Sequence, residues 1–62
     1  MNIIGRSIDQ VREVLDASGQ DYEVHHFDSA NSSLNKLGPL KPDAIHLGVH
    51  DGIVITWAFG SK

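Results

Sequence analysis

The chain has 62 residues, no cysteine, and five Lys and Arg against eight Asp and Glu, which gives a formal charge of −3. A chain of this length supports one small core, because it buries only about 60% of the surface that its unfolded form exposes. The absence of cysteine excludes a disulfide-stapled scaffold, and the scattered basic residues provide no surface for nucleic acid. No apolar run is long enough to cross a membrane. We therefore expect a single cytoplasmic domain over residues 1–62.

The first predicted element is an amphipathic helix over about residues 8–18. Ser7 and Gln10 have the spacing of a capping box, which satisfies backbone donors at a helix start. Apolar residues then recur at helical spacing, and Gly19 stands at the usual C-terminal position. One helix with one apolar face follows from this pattern.

Three strands are predicted, over about residues 22–27, 44–49 and 53–59. The Asp51-Gly52 step between two alternating apolar runs is the strongest short-range signal of a β-hairpin, because glycine tolerates the positive φ of a tight turn. Strict alternation places Trp57 on one face of the last strand and Val54 on the other. The predicted fold class is α+β, with a single amphipathic helix packed on one face of a small three-stranded sheet that ends in a C-terminal hairpin.

A long connection over residues 28–42 is rich in turn-forming residues and predicts a loop with at most a brief helical turn around Leu34. Loops of this length in a compact domain are uncommon and often functional. The loop holds fifteen residues where a handful would join two strands, and its two prolines lower the entropy lost on binding. Within it we predict a partner-binding segment made of Leu37, Gly38, Pro39, Leu40 and Lys41.

Leucines recur every third residue in this connection, at Leu34, Leu37 and Leu40. Two of the three are expected to anchor the loop to the core, and the third is left open between anchoring the loop and being presented to a partner.

A second predicted partner surface is aromatic. Trp57 is the single tryptophan, and as a core residue it needs no function. If its face points away from the helix, Phe27, Trp57 and Phe59 form an exposed patch of the kind that marks partner surfaces.

The histidines raise the question of a metal. His25, His46 and His50 are predicted to share one sheet face, and three imidazoles can bind zinc or copper. Cysteine is absent, no further ligand stands at controlled spacing, and Asp51 is explained by its turn. We therefore predict no metal and no cofactor, and keep a metal or small-ligand module as the alternative.

Catalysis is not predicted. Serine and histidine are present, but no nucleophile elbow is, and the six glycines lack phosphate-loop spacing. A domain of this size also lacks the walls that would exclude water from a reacting pair.

Two stretches carry a family resemblance. The run Ile4–Val11 and the run Asp43–Leu47, with the turn at Val49–Val54 and a terminal Gly60, resemble the potato inhibitor I family of serine-protease inhibitors. The resemblance implies a helix, a strand, a protease-binding loop and two closing strands. That family braces its loop with arginines, whereas the matching positions here are Ala44 and His46.

A second resemblance is to PASTA domains, through Ile4–Leu15 and Gly52–Thr56. It implies the same layout of a helix on a sheet, together with a cell-wall-binding role.

The function predicted from these observations is a small protein-binding module that regulates or inhibits another protein. Its binding surface would be the loop at 28–42 or an exposed sheet face, and serine-protease inhibition is one form of this activity. We also expect a homodimer, because a small sheet leaves an edge to pair.

Overall fold

The predicted α+β architecture is present in the computed structural model, which describes residues 2–60 apart from the side chain of Lys36. Met1, Ser61 and Lys62 lie outside the described residues. In chain order, the elements are helix α1 (Ile8–Ser18), strand β1 (Tyr22–His26), a 3₁₀ turn (Leu34–Leu37), strand β2 (Ile45–His50) and strand β3 (Ile53–Phe59). The helix and the strands fall within one residue of their predicted bounds.

Helix α1 begins and ends at the residues that the sequence indicates. The Ser7 hydroxyl accepts a hydrogen bond from the backbone N–H of Gln10 at 3.3 Å, which satisfies one free donor of the first turn. Gly19 adopts φ +76°, and its N–H bonds back to the helix carbonyls. Val11 and Leu15 point into the core from the face that meets the sheet.

The three strands form one sheet in the order β1-β2-β3. β1 pairs with β2 in parallel, and β2 pairs with β3 in antiparallel. Parallel neighbours cannot be joined by a tight turn and need a crossover of a dozen or more residues. The length of the 28–42 connection is therefore required by the topology, and the argument that a few residues would have sufficed is wrong.

The hairpin forms with a β-bulge that strict alternation does not predict. Asp51 and Gly52 both have positive φ, +55° and +78°, as a two-residue type I′ turn demands. Gly48 pairs with Thr56 while Val49 pairs with Val54, so Ile55 is an extra residue in β3. The bulge moves Val54 onto the same face as Trp57, which corrects the predicted assignment of the two residues to opposite faces.

The main core lies between α1 and one face of the sheet. Its buried residues come from the N-terminal segment, the helix and the two hairpin strands, and they are Ile3, Val11, Leu15, Ile45, Leu47, Val49 and Val54. Ile8, Tyr22, Val24 and Trp57 pack against this cluster. The N-terminal segment also bonds to β3, through Gly5 N–H to the Val54 carbonyl at 2.8 Å and Val54 N–H to the Arg6 carbonyl at 2.9 Å.

The crossover covers the second face of the sheet at β2. Ala44, His46 and Leu34 are buried there, with 1%, 1% and 3% of their surfaces exposed. Every residue of β2 from Ile45 to Val49 is buried. The central strand is therefore covered on both sides. Within residues 2–60, no helix is long and apolar enough to cross a membrane.

Candidate functional site

The segment Leu37–Lys41 lies on the outside of the crossover. Leu37 ends the 3₁₀ turn with 43% of its surface exposed, and Gly38, Pro39 and Lys41 are exposed after it. Leu40 is half-buried. Leu34 is buried, so Leu34 and Leu40 turn inward and Leu37 is the leucine that faces out.

Both ends of this segment are fixed to the rest of the domain. At the start, buried Leu34 opens the 3₁₀ turn, which is capped by the Ser33 hydroxyl accepting from the N–H of Asn35 at 3.3 Å. At the end, the ring of His46 bonds the carbonyl of Lys41 through Nε2 at 2.8 Å. Gly60 lies against the same carbonyl so closely that a side chain there would collide with it. These contacts hold the segment between two fixed points.

His46 also contacts a second histidine. Its Nδ1 lies 3.1 Å from Nε2 of His25, and the ring centroids are 5.3 Å apart with an angle of 22° between the ring planes. A carbonyl oxygen only accepts, so the Nε2 of His46 carries a hydrogen. In a neutral His46 ring, Nδ1 is then the acceptor, and the Nε2–H of His25 donates to it.

Glu23 completes a cluster with these two rings. One ligand atom from each of Glu23, His25 and His46 lies within 4.8 Å of the others. The parallel register puts Glu23 beside His46, and His25 lies two residues further along β1 on the same face. The structure thus brings together two of the three predicted histidines and adds a carboxylate.

His50 is not part of this cluster. Its Nδ1 donates to the carbonyl of Phe27 at 3.1 Å, beyond the end of β1. Among the described residues, the histidines of the alternative metal module, His25, His46 and His50, are therefore not all brought together, and the group with ligand spacing is Glu23, His25 and His46. Glu23 was missed because the sequence does not reveal that β1 and β2 run parallel, which sets the residue opposite His46.

The predicted aromatic patch does not form. Trp57 pairs with Leu47 and packs against the core on the helix side. Phe27 lies on the other side of the sheet, where its ring packs over Gly48 and would be 2.7 Å from a side-chain carbon placed there. Phe27 and Trp57 thus belong to separate surfaces, and only Phe59, 54% exposed, is open beside Trp57 on the helix side.

A polar contact on the helix side perturbs one titratable group. The hydroxyl of Tyr22 donates to Asp16 Oδ1 at 2.9 Å. This hydrogen bond, together with the negative charge of Asp16, raises the pKa of Tyr22 above its ordinary value of 10.0, because both disfavour the phenolate.

A groove of about 380 Å³ lies between the N-terminal segment and α1. Its apolar lining is Ile3, Val11, Val14 and Leu15, and Arg6 and Gln10 are among its polar residues. The groove is on the helix side of the sheet, and His25 and His46 are on the other side.

No family model, curated protein or solved structure matches this chain. The resemblances to potato inhibitor I and to PASTA domains stay predictions.

Proposed function

We propose that this chain is a protein-binding module that regulates or inhibits another protein through the segment Leu37–Lys41. The observation that carries the proposal is the 43% exposure of Leu37 between two fixed points, buried Leu34 and the Lys41 carbonyl bonded to His46. An apolar side chain held in the open by a braced backbone is typical of a binding loop.

The brace favours binding because it reduces the entropy that association would cost. Ordering a mobile side chain at an interface costs about 0.5–1.5 kcal/mol, and a segment that is already ordered avoids much of this cost. Pro39 fixes one φ angle, and the His46 bond fixes the end of the segment. The partner surface expected to fit is an apolar pocket for Leu37 beside a polar rim near Lys41.

A serine-protease inhibitor is the second candidate, and one observation favours it. The order helix, strand, loop, strand, strand is the order that the resemblance to potato inhibitor I implies. His46 of β2, at a position where that family carries a bracing arginine, holds the loop carbonyl of Lys41. Incubation with serine proteases of apolar and of basic specificity tests this form of the proposal, and intact activity of every protease rejects it.

Two further features belong to this proposal. The lack of cysteine suits the reducing cytoplasm as the place of action.

Self-association as a homodimer would use the outer edge of β1, because the inner edge of β1 is already paired with β2. Binding, and not catalysis, is the proposed activity in either assembly state.

The decisive experiment compares two substitutions of exposed apolar residues by aspartate. Leu37→Asp places a charge in the proposed binding segment, whereas Val14→Asp places one at a helix position that is 65% exposed. Wild-type protein and both variants are used to capture partners from an extract of the source cells, and the captured proteins are compared quantitatively.

A partner retained by wild type and Val14→Asp but lost with Leu37→Asp supports the proposal. We expect its capture to fall about tenfold or more, since charging a buried interface residue costs several kcal/mol. Equal capture by all three proteins would contradict the segment as the binding surface.

A further inference from the structure

We propose that Glu23, His25 and His46 form a binding site for a divalent transition-metal ion, zinc foremost. The three side chains belong to one sheet face across the β1-β2 pair, and their ligand atoms lie within 4.8 Å of one another. The site can be tested separately from the partner-binding proposal, because two of its three ligands, Glu23 and His25, are strand residues away from the exposed leucine.

The spacing of the two ring nitrogens fits a tetrahedral zinc ion. Zinc–nitrogen bonds are about 2.0–2.1 Å long, so two nitrogens on one tetrahedral ion are about 3.3 Å apart. Nε2 of His25 and Nδ1 of His46 are 3.1 Å apart. An ion bonded to both nitrogens lies to one side of the line that joins them, so the two rings tilt toward it while the strands keep their positions.

His46 is already oriented as a metal ligand. Its side chain is 1% exposed, and its Nε2–H donates to the Lys41 carbonyl, which leaves the lone pair of Nδ1 directed at His25. A carbonyl that holds the far nitrogen of a ligating histidine fixes the tautomer and the ring orientation. This hydrogen bond supplies the support that metal-binding histidines usually have.

His25 needs only a change of tautomer to join. Without metal, its Nε2 carries the hydrogen that is donated to His46. On binding, this hydrogen is lost from Nε2, Nδ1 is protonated instead, and the freed Nε2 lone pair binds the ion. The ring is neutral before and after this exchange of tautomers, so no oxidant, reductant or other reactant is required.

The donor set selects the class of metal. Two imidazoles and one carboxylate suit zinc, copper(II) and nickel, whereas magnesium and calcium prefer oxygen ligands and copper(I) prefers sulfur. Three protein ligands leave one position of a tetrahedral ion open to water. Glu23 and His25 are half-buried, so the ion can enter from this side.

The test is calorimetric titration of untagged, chelator-treated protein with zinc chloride. The variants are His25→Gln and Glu23→Gln, which retain polar side chains and spare the buried His46. His26→Gln is the matched control, because His26 is the next residue of β1 and is exposed on the opposite face.

We expect one zinc per chain, affinity weakened about tenfold or more by His25→Gln and by Glu23→Gln, and a change of less than about twofold in His26→Gln. Zinc at a hundredfold excess over Kd should raise the unfolding midpoint by roughly 10–20 °C. In ¹⁵N spectra of the imidazoles, His46 Nδ1 and His25 Nε2 should shift on binding.

Three outcomes would overturn the site. The first is no binding at about 100 µM zinc, because a preformed site of three ligands is filled at that concentration. The second is an equal loss of affinity in His26→Gln and His25→Gln. The third is a set of ¹⁵N shifts confined to the rings of His26 and His50. Failure of this test leaves the Leu37 experiment unaffected, since neither Leu37 nor Val14 belongs to the metal site.

Discussion

At the scale of single residues, His46 links the two proposed sites. It is buried in the central strand, yet both ring nitrogens have partners, Lys41 on one side and His25 on the other. Within residues 2–60, no buried side-chain nitrogen or oxygen is left without a hydrogen bond. A buried polar residue costs stability unless it is bonded in this way, so the position of His46 depends on the carbonyl that it holds.

Tyr22 gives a prediction at the same scale. Its hydrogen bond to Asp16 raises its pKa, so the folded state retains the phenolic proton more tightly than the unfolded state does. The resulting stabilisation is complete below the unfolded pKa near 10 and is lost as the pH rises through the raised folded value. Because Tyr22 is the only tyrosine, absorbance at the phenolate band reports its titration directly.

We expect a titration midpoint above 10.0 in the wild type and a lower midpoint in Asp16→Asn, which removes the charge and weakens acceptance of the hydrogen bond. Glu23→Gln serves as the control, because it removes a carboxylate on the other sheet face. Identical midpoints in the wild type and Asp16→Asn would show that the contact is absent in solution.

At the scale of elements, the crossover between β1 and β2 has two roles. Its buried part covers the second sheet face through Leu34, and its exposed part carries Leu37. Leu34 begins the 3₁₀ turn inside the core, and Leu37 ends the turn three residues later at the surface. Anchoring and exposure are thus combined in a four-residue element.

This division predicts that the same substitution lowers stability strongly at Leu34 and hardly at all at Leu37. Leu34→Ala removes a side chain that is 3% exposed and should lower the free energy of unfolding by about 2–5 kcal/mol. Leu37→Ala, at 43% exposure, should change it by less than about 0.5 kcal/mol. Urea denaturation measures both, and comparable losses would place Leu37 in the core and contradict its role as a binding residue.

The sequence predicted the elements but not their pairing. Ser7, Gly19 and Asp51-Gly52 act locally, through caps and a turn, and the structure places them as expected. The bulge at Ile55 and the parallel register of Glu23 with His46 depend on strands that are distant in the chain.

The same limit applies to the candidate site. The leucines and the proline of Leu37–Lys41 are visible in the sequence, but the exposure of Leu37 depends on Leu34 reaching the core. The bond from His46 to Lys41 joins a ring to a backbone carbonyl, and a carbonyl has no signature in the sequence.

At the scale of the whole molecule, the domain has three layers, which are helix α1, the sheet and the crossover between β1 and β2. Both faces of β2 are covered, which is how a chain of 62 residues buries five of the six residues of its central strand. Small domains have little stability to spare, so fixing the crossover to the sheet through His46 and Gly60 serves the fold as well as the proposed binding segment.

The central claim is that Leu37–Lys41 is a braced and not a mobile segment. Backbone ¹⁵N order parameters measure this most directly, because rigid backbone gives values of about 0.85 and flexible loops give values below about 0.6. We expect rigid values for Leu37, Gly38, Leu40 and Lys41, close to those of β2, and a marked decrease in His46→Gln if that variant stays folded. Values below about 0.6 across the segment in the wild-type protein would show that the segment is mobile and contradict the proposed binding role.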